Sequence, residues 1–339
     1  MGLWGQMPFA ELLGQNKAIT YLKGLAKSGQ VPGAMLFFGD EGIGKAKAAL
    51  EFAKALNCLD PQARAQGDSC GICQSCRAID QGTHPDVTFA DFLYQARLEV
   101  KKDFSSKGYE DELEKELAKQ QHINVDTIRD VTAKSQQKAS AGGWKVLILD
   151  AAQTMQAAAA NALLKFIEEP PYKTLWILIT SKRSVMLKTI LSRCQPLAFS
   201  PLAPADVKEI LTQTGFEGDN LDLAARYSGG SVSRAKRAAE ALALMAGVAQ
   251  GPAWPCGVAA GLSRTLAVGR TQAQSVLDVI IAALHNQWTR ETDPQKAFLM
   301  RKDLKKFEDY KRAITRNVSP ALVLETALMN LDGLNIQIF

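Results

Sequence analysis

Gly39-Asp40-Glu41-Gly42-Ile43-Gly44-Lys45-Ala46 follows an apolar run, Ala34-Met35-Leu36-Phe37-Phe38, and leads into a helix-forming stretch, Lys47 to Leu56. Strand, glycine-rich turn, helix is the setting in which G-x-x-x-x-G-K-[ST] cradles phosphate. Glycines at 39, 42 and 44 let backbone N–H groups turn inward on an anion, and a helix N-terminus adds partial positive charge. Lys45 is placed to reach β- and γ-phosphates. The eighth position calls for Ser or Thr, whose hydroxyl holds Mg²⁺. It is Ala46.

A phosphate cradle of this kind needs a second carboxylate at the end of a neighbouring strand. Lys145-Val146-Leu147-Ile148-Leu149-Asp150 supplies it. The next position, where an acid would orient the attacking water, is Ala151. An ordinary strand–helix turn is the alternative for 39–46, and Lys45 in register with Asp150 downstream counts against it. With alanine at both 46 and 151, the expectation is a phosphate site that hydrolyses nucleotide poorly, if at all.

Around this stretch the pattern is α/β. Apolar runs Ala34–Phe38, Asp86–Ala90, Lys145–Asp150, Leu175–Thr180 and Gln195–Ser200 predict five strands. They are continuous rather than alternating and are separated by helical segments, which predicts a parallel sheet covered on both faces. A helical lead-in spans 8–33, with Ile19, Leu22 and Leu25 at helical spacing. Ile123 to Lys138 places Val125, Ile128 and Val131 on one face and is broken by Gly142-Gly143. A helix from Thr154 to Glu169 stops at Pro170-Pro171. Residues 92–121 are charge-rich, with Lys101-Lys102-Asp103 and Glu110 to Lys119, and read as a solvated loop or helix face.

After Pro201 the strands cease. Ala205–Gln213 and Asp222–Ala243 read as helices, Gly247–Gly261 as a Pro- and Gly-rich linker, and Thr271–Trp288, Pro294–Ile314 and Pro320–Leu331 as further helices. Ser319-Pro320 is an N-cap followed by proline at the first helical position. The expected domains are 1–200, α/β with a cysteine-bearing insertion at 58–76; 201–246, a small helical unit; and 247–339, all helical.

Within the insertion Cys58, Cys70, Cys73 and Cys76 follow C-x11-C-x2-C-x2-C. Closely spaced thiolates completed by one from upstream suit a closed, structural Zn²⁺ site. An iron–sulfur cluster and unligated thiols are the alternatives; the C-x3-C-P step of the bacterial ferredoxin pattern is absent. Cys194 and Cys256 are isolated and read as buried or free thiols. His84, His122 and His285 form no metal-spaced or triad-like set. The five tryptophans are too scattered for a base-stacking platform. Ser192-Arg193-Cys194, read alone, holds an ordinary ion-pairing arginine.

The chain has 339 residues, 47% hydrophobic and 22% charged, as two or three soluble domains would. A net charge of +5 is too small to declare nucleic-acid binding. No apolar run approaches the ~20 residues of a membrane span. Met1-Gly2-Leu3-Trp4-Gly5-Gln6 fits neither a signal peptide nor a myristoylation site. The expectation is a cytoplasmic protein with no membrane association, its cysteines reduced or metal-bound.

These residues together resemble bacterial clamp-loader subunits of the AAA+ family, the delta-prime branch of DNA polymerase III above all. The resemblance rests on Gly14-Gln15, the 39–45 turn, the four cysteines, His84-Pro85-Asp86, Val125-Asp126-Thr127-Ile128-Arg129, the Asp150 strand and Ala160-Asn161-Ala162-Leu163-Leu164-Lys165 running to Glu168-Glu169-Pro170-Pro171. Ser192-Arg193-Cys194 and Ser228-Gly229-Gly230-Ser231 complete it, so that it spans 8–237. It implies an AAA+ P-loop domain, a helical lid and a helical collar that joins a heteropentamer with tau/gamma and delta subunits. Such an assembly loads the sliding clamp onto primed DNA.

The resemblance further implies that Arg193 is an arginine finger acting in trans, that Thr180 is sensor 1 and Arg234 sensor 2, and that the cysteine insertion binds zinc. Active tau/gamma motors carry Thr after the P-loop lysine and Glu after the strand aspartate; Ala46 and Ala151 depart from both. The departures match a non-hydrolysing stator, in which weak binding of ATP with Mg²⁺ by Gly39, Gly42, Gly44, Lys45 and Asp150 stays open. Two rivals remain. One is a working ATPase of tau/gamma type. The other is a nucleic-acid-binding zinc protein with a vestigial P-loop, using Lys305-Lys306 and Lys311-Arg312, which alternate with Glu308 and Asp309.

Overall fold

The computed structural model describes residues 9, 12–100, 104, 108–140, 143–218, 220–248, 253–315 and 318–331, with 266 and 267 described by their backbone alone. The N-terminal hexapeptide, Pro8, Ala10 and Glu11 of the lead-in, the Lys101-Lys102-Asp103 run and Gly142 lie outside the described residues. The chain divides into two compact units, Met1–Pro201 and Leu202–Phe339.

In the first unit the elements run α1 (Asn16–Ser28), β1 (Ala34–Phe38), α2 (Lys45–Asn57), α3 (Pro61–Ala65), α4 (Gln74–Asp80), β2 (Val87–Ala90), α5 (Phe92–Glu99) and α6 (Tyr109–Lys119). They continue with α7 (Val125–Gln136), β3 (Lys145–Leu149), α8 (Ala157–Glu168), β4 (Thr174–Thr180), α9 (Lys188–Leu191) and β5 (Gln195–Ala198). The five strands form one sheet in the order β2-β3-β4-β1-β5, and every pairing is parallel.

Every residue of β3 and β4 is buried, as the continuous apolar runs require. Successive side chains of a strand point to opposite faces. Leu175, Ile177 and Ile179 therefore join Phe37, Phe52 and Leu22 in the core beneath α1 and α2. Trp176 and Leu178 join Val131, Leu163 and Ile190 in the core beneath α7 and α8. Phe38 pairs with Thr180 and Leu149 with Leu178, so Gly39, Asp150 and Thr180 lie together at the carboxyl edge of the sheet. Ligand crevices of open α/β sheets form at that edge.

The helix expected from Thr154 begins instead at Ala157, after a short 3₁₀ turn, Ala152–Thr154. The cause is Ala151, whose φ of 51° turns the chain, with Thr154 donating both its N–H and its hydroxyl to the Ala151 carbonyl. The C-terminal stop is as proline requires, and Pro170 packs so tightly on Gly33 that a Cβ there would lie 2.2 Å from its Cγ.

The charge-rich 92–121 segment contains two helices, and α6 does present a solvated face, with Tyr109 its buried residue. Buried Gln95 ties the segment down. Its amide donates to the His122 carbonyl at 3.0 Å and accepts from the Asn124 N–H and the Thr127 hydroxyl, each at 2.9 Å.

The second unit is helical among its described residues: α10 (Pro204–Gln213), α11 (Leu221–Tyr227), α12 (Val232–Ala246), α13 (Trp254–Ala260), α14 (Leu266–Trp288), α15 (Pro294–Ile314) and α16 (Pro320–Met329). Two expectations are corrected here. The single helix Asp222–Ala243 is two, because Gly229 and Gly230 adopt φ of 57° and 79° and Ser231 then caps α12 by accepting from the Arg234 N–H. The 247–261 linker contains α13, whose Val258 is fully buried and whose Trp254 indole donates to the Met245 carbonyl. Its glycines serve close packing rather than freedom, since a Cβ on Gly257 would meet Val248 at 2.5 Å. Ser319 stands at the N-cap of α16 with Pro320 at the first helical position, but its side chain makes no capping bond.

One core runs through this unit and joins Val207, Leu211, Leu242 and Met245 to Val258, Leu277, Ile280, Phe307 and Leu324. Residues on both sides of position 247 share it. Among the described residues no helix is long and apolar enough to cross a membrane.

Candidate functional site

The turn after β1 adopts the conformation its glycines foretell. Gly39, Gly42 and Gly44 have φ of 146°, 74° and 96°, and α2 starts directly at Lys45. Gly39 is needed twice over, because a Cβ would also lie 2.4 Å from the Phe199 carbonyl oxygen. Gln15 braces the turn from the opposite side. Its amide nitrogen donates to the carbonyls of Ile43 (3.1 Å) and Ser200 (2.6 Å), and its oxygen accepts from the Ser200 N–H. This gives Gly14-Gln15 a physical role: it ties the cradle to the end of β5.

Lys45 is buried, and its ammonium folds over the turn, donating to the carbonyl of Gly39 at 2.7 Å and to that of Asp40. Burial lowers its pKa, against the pull of Asp150, Asp40 and Glu41. Burial raises that of Asp150, opposed by the Ala151 N–H, which donates to Oδ1 at 2.7 Å, and by Lys45. Each charge steadies the other across the carboxyl edge of the sheet. Thr180 is buried beside them, its hydroxyl accepting from the Lys182 N–H at 3.1 Å.

Ala46 and Ala151 bring no oxygen to this site; Ala46 instead packs against the core beneath α2. Arg234 lies in the first turn of α12, in the second unit.

Arg193 stands on a rigid base. Its backbone N–H and that of Cys194 both donate to the Ile190 carbonyl, and the side chains of Ile190 and Cys194 are buried. Burial pushes the Cys194 thiol up to about 12, as an inert buried cysteine requires. The guanidinium remains one-third exposed. Nη1 donates to the Thr189 carbonyl (3.1 Å) and the Ser192 hydroxyl (3.3 Å), and Nη2 to Glu168 Oε1 at 3.0 Å. Nε has no partner among the described residues, which leaves the exposed guanidinium a donor to spare for an anion.

The four cysteines converge. Their sulfurs lie within 4.8 Å of one another, close to the ~3.8 Å that a tetrahedral ion with ~2.3 Å metal–sulfur bonds would set. Cys58 closes α2, Cys73 caps α4 and Cys76 lies within it. The Cys70 N–H donates to the Cys58 sulfur, that of Cys73 to Cys70 and that of Cys76 to Cys73, at 3.3–3.4 Å. Burial resists ionisation of Cys73, but the N–H groups of Cys76 and Leu59 bring its thiol down to about 7. Four convergent soft donors with backbone N–H groups on their sulfurs fit a structural tetrahedral metal centre.

His84 bridges the Ser75 hydroxyl (3.2 Å) and the Asp86 N–H (3.1 Å), a structural role. His285 meets Trp288 edge to face, their ring centroids 5.5 Å apart. Cys256 is exposed and donates to Glu325. On α15, Lys311 pairs with Asp278, Arg312 with Asp309 and Glu308, and Lys306 donates to Asn330. These basic side chains thus alternate with acidic and polar partners along an exposed helix face. Two features escaped sequence reasoning. One is the pairing of Glu168 with Arg193, and the other is the trio of Glu51, Lys54 and Asp80, the first two buried. The spacing of Glu51, Lys54 and Cys58, three and four residues apart, is visible in the sequence, but the packing that buries Glu51 and Lys54 is not.

Sheet order and cradle define an α/β P-loop fold of the AAA+ class. The sequence profile of the family described as DNA polymerase III, delta subunit, matches residues 14–203, and the chain belongs to that family. It is 35% identical over 206 residues to a DNA polymerase III subunit delta' of Pseudomonas aeruginosa, covering 60% of this chain and 55% of that one. To a DNA polymerase III subunit tau/gamma of Haemophilus influenzae it is 30% identical over 235 residues, 68% of this chain and 30% of the relative. The matched stretch thus spans between 30% and 55% of these relatives. A gamma subunit-related protein of Thermotoga maritima shares the fold at a TM-score of 0.52 and 16% identity, over 92% of this chain and 97% of that one.

Proposed function

We propose that this chain is a delta-prime-like stator subunit of a DNA polymerase III clamp loader. It takes its place in a heteropentamer with tau/gamma and delta subunits and assists loading of the sliding clamp onto primed DNA in the cytoplasm. It offers Arg193 to a neighbour's nucleotide without turning over ATP itself. One observation carries this reading: a formed cradle with Lys45 and Asp150 in place, and methyl groups at 46 and 151, where Mg²⁺ and the attacking water need oxygen. Membership of the family and the delta' relative support it. Residues 1–200 then act as the AAA+ domain, 201–246 as lid and 247–339 as collar, with Thr180 and Arg234 as sensor residues. Cys58, Cys70, Cys73 and Cys76 hold structural Zn²⁺, whose part is to cross-link the insertion and not to touch substrate.

The tau/gamma relative sustains the rival of a working motor. The purified chain separates the two. Its ATPase is expected to stay at background, with or without primed DNA, and Lys45→Ala is expected to change nothing. Robust turnover abolished by Lys45→Ala would establish the motor and end the stator reading. Sedimentation with tau/gamma and delta subunits should show the chain entering a complex; failure to enter any would sink the clamp-loader assignment. Zinc analysis of the native chain should return one equivalent, with amide exchange across 58–80 rising on chelation.

A further inference from the structure

The helices that carry the cysteines meet along one stripe each. On α2 the stripe is Glu51, Lys54 and Cys58; on α4 it is Cys76 and Asp80, four residues apart. Residues three and four apart share a helix face. Each helix therefore presents a charged tier and a thiol tier on the same side.

The charged tier is closed by Lys54, whose side chain is 0% exposed. Its Nζ lies 2.6 Å from Glu51 Oε1 and 2.9 Å from Asp80 Oδ1, so one ammonium bridges α2 to α4. Burial alone would lower the Lys54 pKa, but the two carboxylates more than offset it and keep the side chain cationic. Asp80 Oδ2 is buried with no hydrogen-bond partner among the described residues, which leaves Lys54 as the group that offsets its desolvation.

The third cysteine-bearing segment reaches the same cluster. Ser69, the neighbour of Cys70, donates its hydroxyl to Glu51 Oε2 at 3.5 Å. Its N–H is held by Asp68, which also accepts from the Phe9 N–H and pairs with Lys23 of α1.

A buried ion cluster is seldom a better source of stability than apolar packing of the same volume. What it supplies here is a fixed geometry between three segments. We propose that Glu51, Lys54 and Asp80 are positioning residues for the Cys58–Cys70–Cys73–Cys76 centre. They set the spacing between the helix that ends in Cys58 and the helix that carries Cys73 and Cys76, and through Ser69 they hold Cys70. The sulfurs are thereby convergent before a metal arrives, and the ion meets a preformed site instead of ordering one. This rests on the reading of the cysteines as a metal centre.

The test uses the full chain, reduced and stripped of metal, titrated with Co²⁺ and then competed with Zn²⁺ against a chelator. Spectra are taken well below the melting temperature of each metal-free variant. The native chain should give the absorption of tetrahedral Co²⁺ tetrathiolate. Lys54→Met, which keeps length and loses charge, is expected to weaken Co²⁺ and Zn²⁺ binding by about tenfold to a hundredfold, the range for residues that orient metal ligands. Lys54→Arg should recover part of the loss. Asp80→Asn, nearly isosteric, carries the test should Lys54→Met not fold, and should also weaken binding at least tenfold. Native affinity in folded Lys54→Met or Asp80→Asn, even with a lowered melting temperature, would overturn the proposal and leave the metal reading intact. Absence of a tetrathiolate spectrum in the native chain would instead overturn the metal reading, and this proposal with it.

Discussion

Arg193→Ala is expected to cut the ATPase of a reconstituted clamp loader by at least tenfold, and by as much as about 10³-fold, with assembly unimpaired. Arginine fingers supplied in trans are worth on the order of 10³–10⁵ in rate, because they meet charge that develops only in the transition state. The geometry suits that task. Backbone bonds to Ile190 and the buried Cys194 make the base rigid, while Nε has no partner among the described residues. The pair with Glu168 is exposed on both sides, so it stabilises the chain by less than about 1 kcal/mol. Removing Arg193 therefore leaves the fold intact, and a lost rate reports on chemistry. Rate measured with primed DNA and clamp decides the matter, with the melting temperature of the free subunit as control. An unchanged rate in a fully formed assembly would reduce Arg193 to a surface charge and this chain to a scaffold.

Rate loss of that size would fit a subunit that has no need of turnover of its own. A finger acts on a neighbour's nucleotide, whereas Ala46 and Ala151 concern its own. The backbone bears on this. Ala151 sits at φ 51°, and its N–H holds Asp150. Ala151 already bears the cost of a Cβ on a left-handed backbone, about 1–2 kcal/mol, so Glu at 151 would add little backbone strain.

The sheet was legible because burial on both faces leaves a mark on composition: Leu175 to Ile179 is apolar throughout, and it lies in the fully buried β4. The cradle was legible because glycines at 39, 42 and 44 are demanded by backbone angles, which are local. The cysteines were legible because ligand spacing is local too. What stayed hidden depends on partners far apart in the chain. The Gln15 brace joins residues 185 positions apart, and Arg193 meets Glu168 across 25. The Glu51–Lys54–Asp80 trio looks in sequence like an ordinary solvated helix pair, and only α4 packing over it reverses that. In the helical unit, Gly and Pro were read as freedom. Gly257 and Gly261 instead allow α13 to lie against Val248 and Leu244, a tertiary use that composition cannot distinguish from a linker.

Gly39→Ala and Gly44→Ala should part company by about 1–3 kcal/mol, although both fall in the same turn at positive φ. At Gly44 an added Cβ meets nothing within 4 Å, so the cost is the left-handed backbone alone, about 1–2 kcal/mol. At Gly39 the same methyl would lie 2.4 Å from the Phe199 carbonyl oxygen and 2.9 Å from Ile43 Cδ1. Neither neighbour can yield cheaply. The Phe199 N–H donates to Phe38 and its ring lies 5.2 Å from that of Phe37, while Ile43 is fully buried and its carbonyl is held by Gln15. Backbone strain of about 1–3 kcal/mol and overpacking of a similar size then add, for a loss of about 2–5 kcal/mol. In a unit of this size that lowers the melting temperature by roughly 5–15 °C. Thermal melts of the two variants beside the native chain measure the difference. Equal losses would mean that the turn gives way as a whole, so that the brace from Gln15 and the wall at Phe199 do not hold the cradle in place.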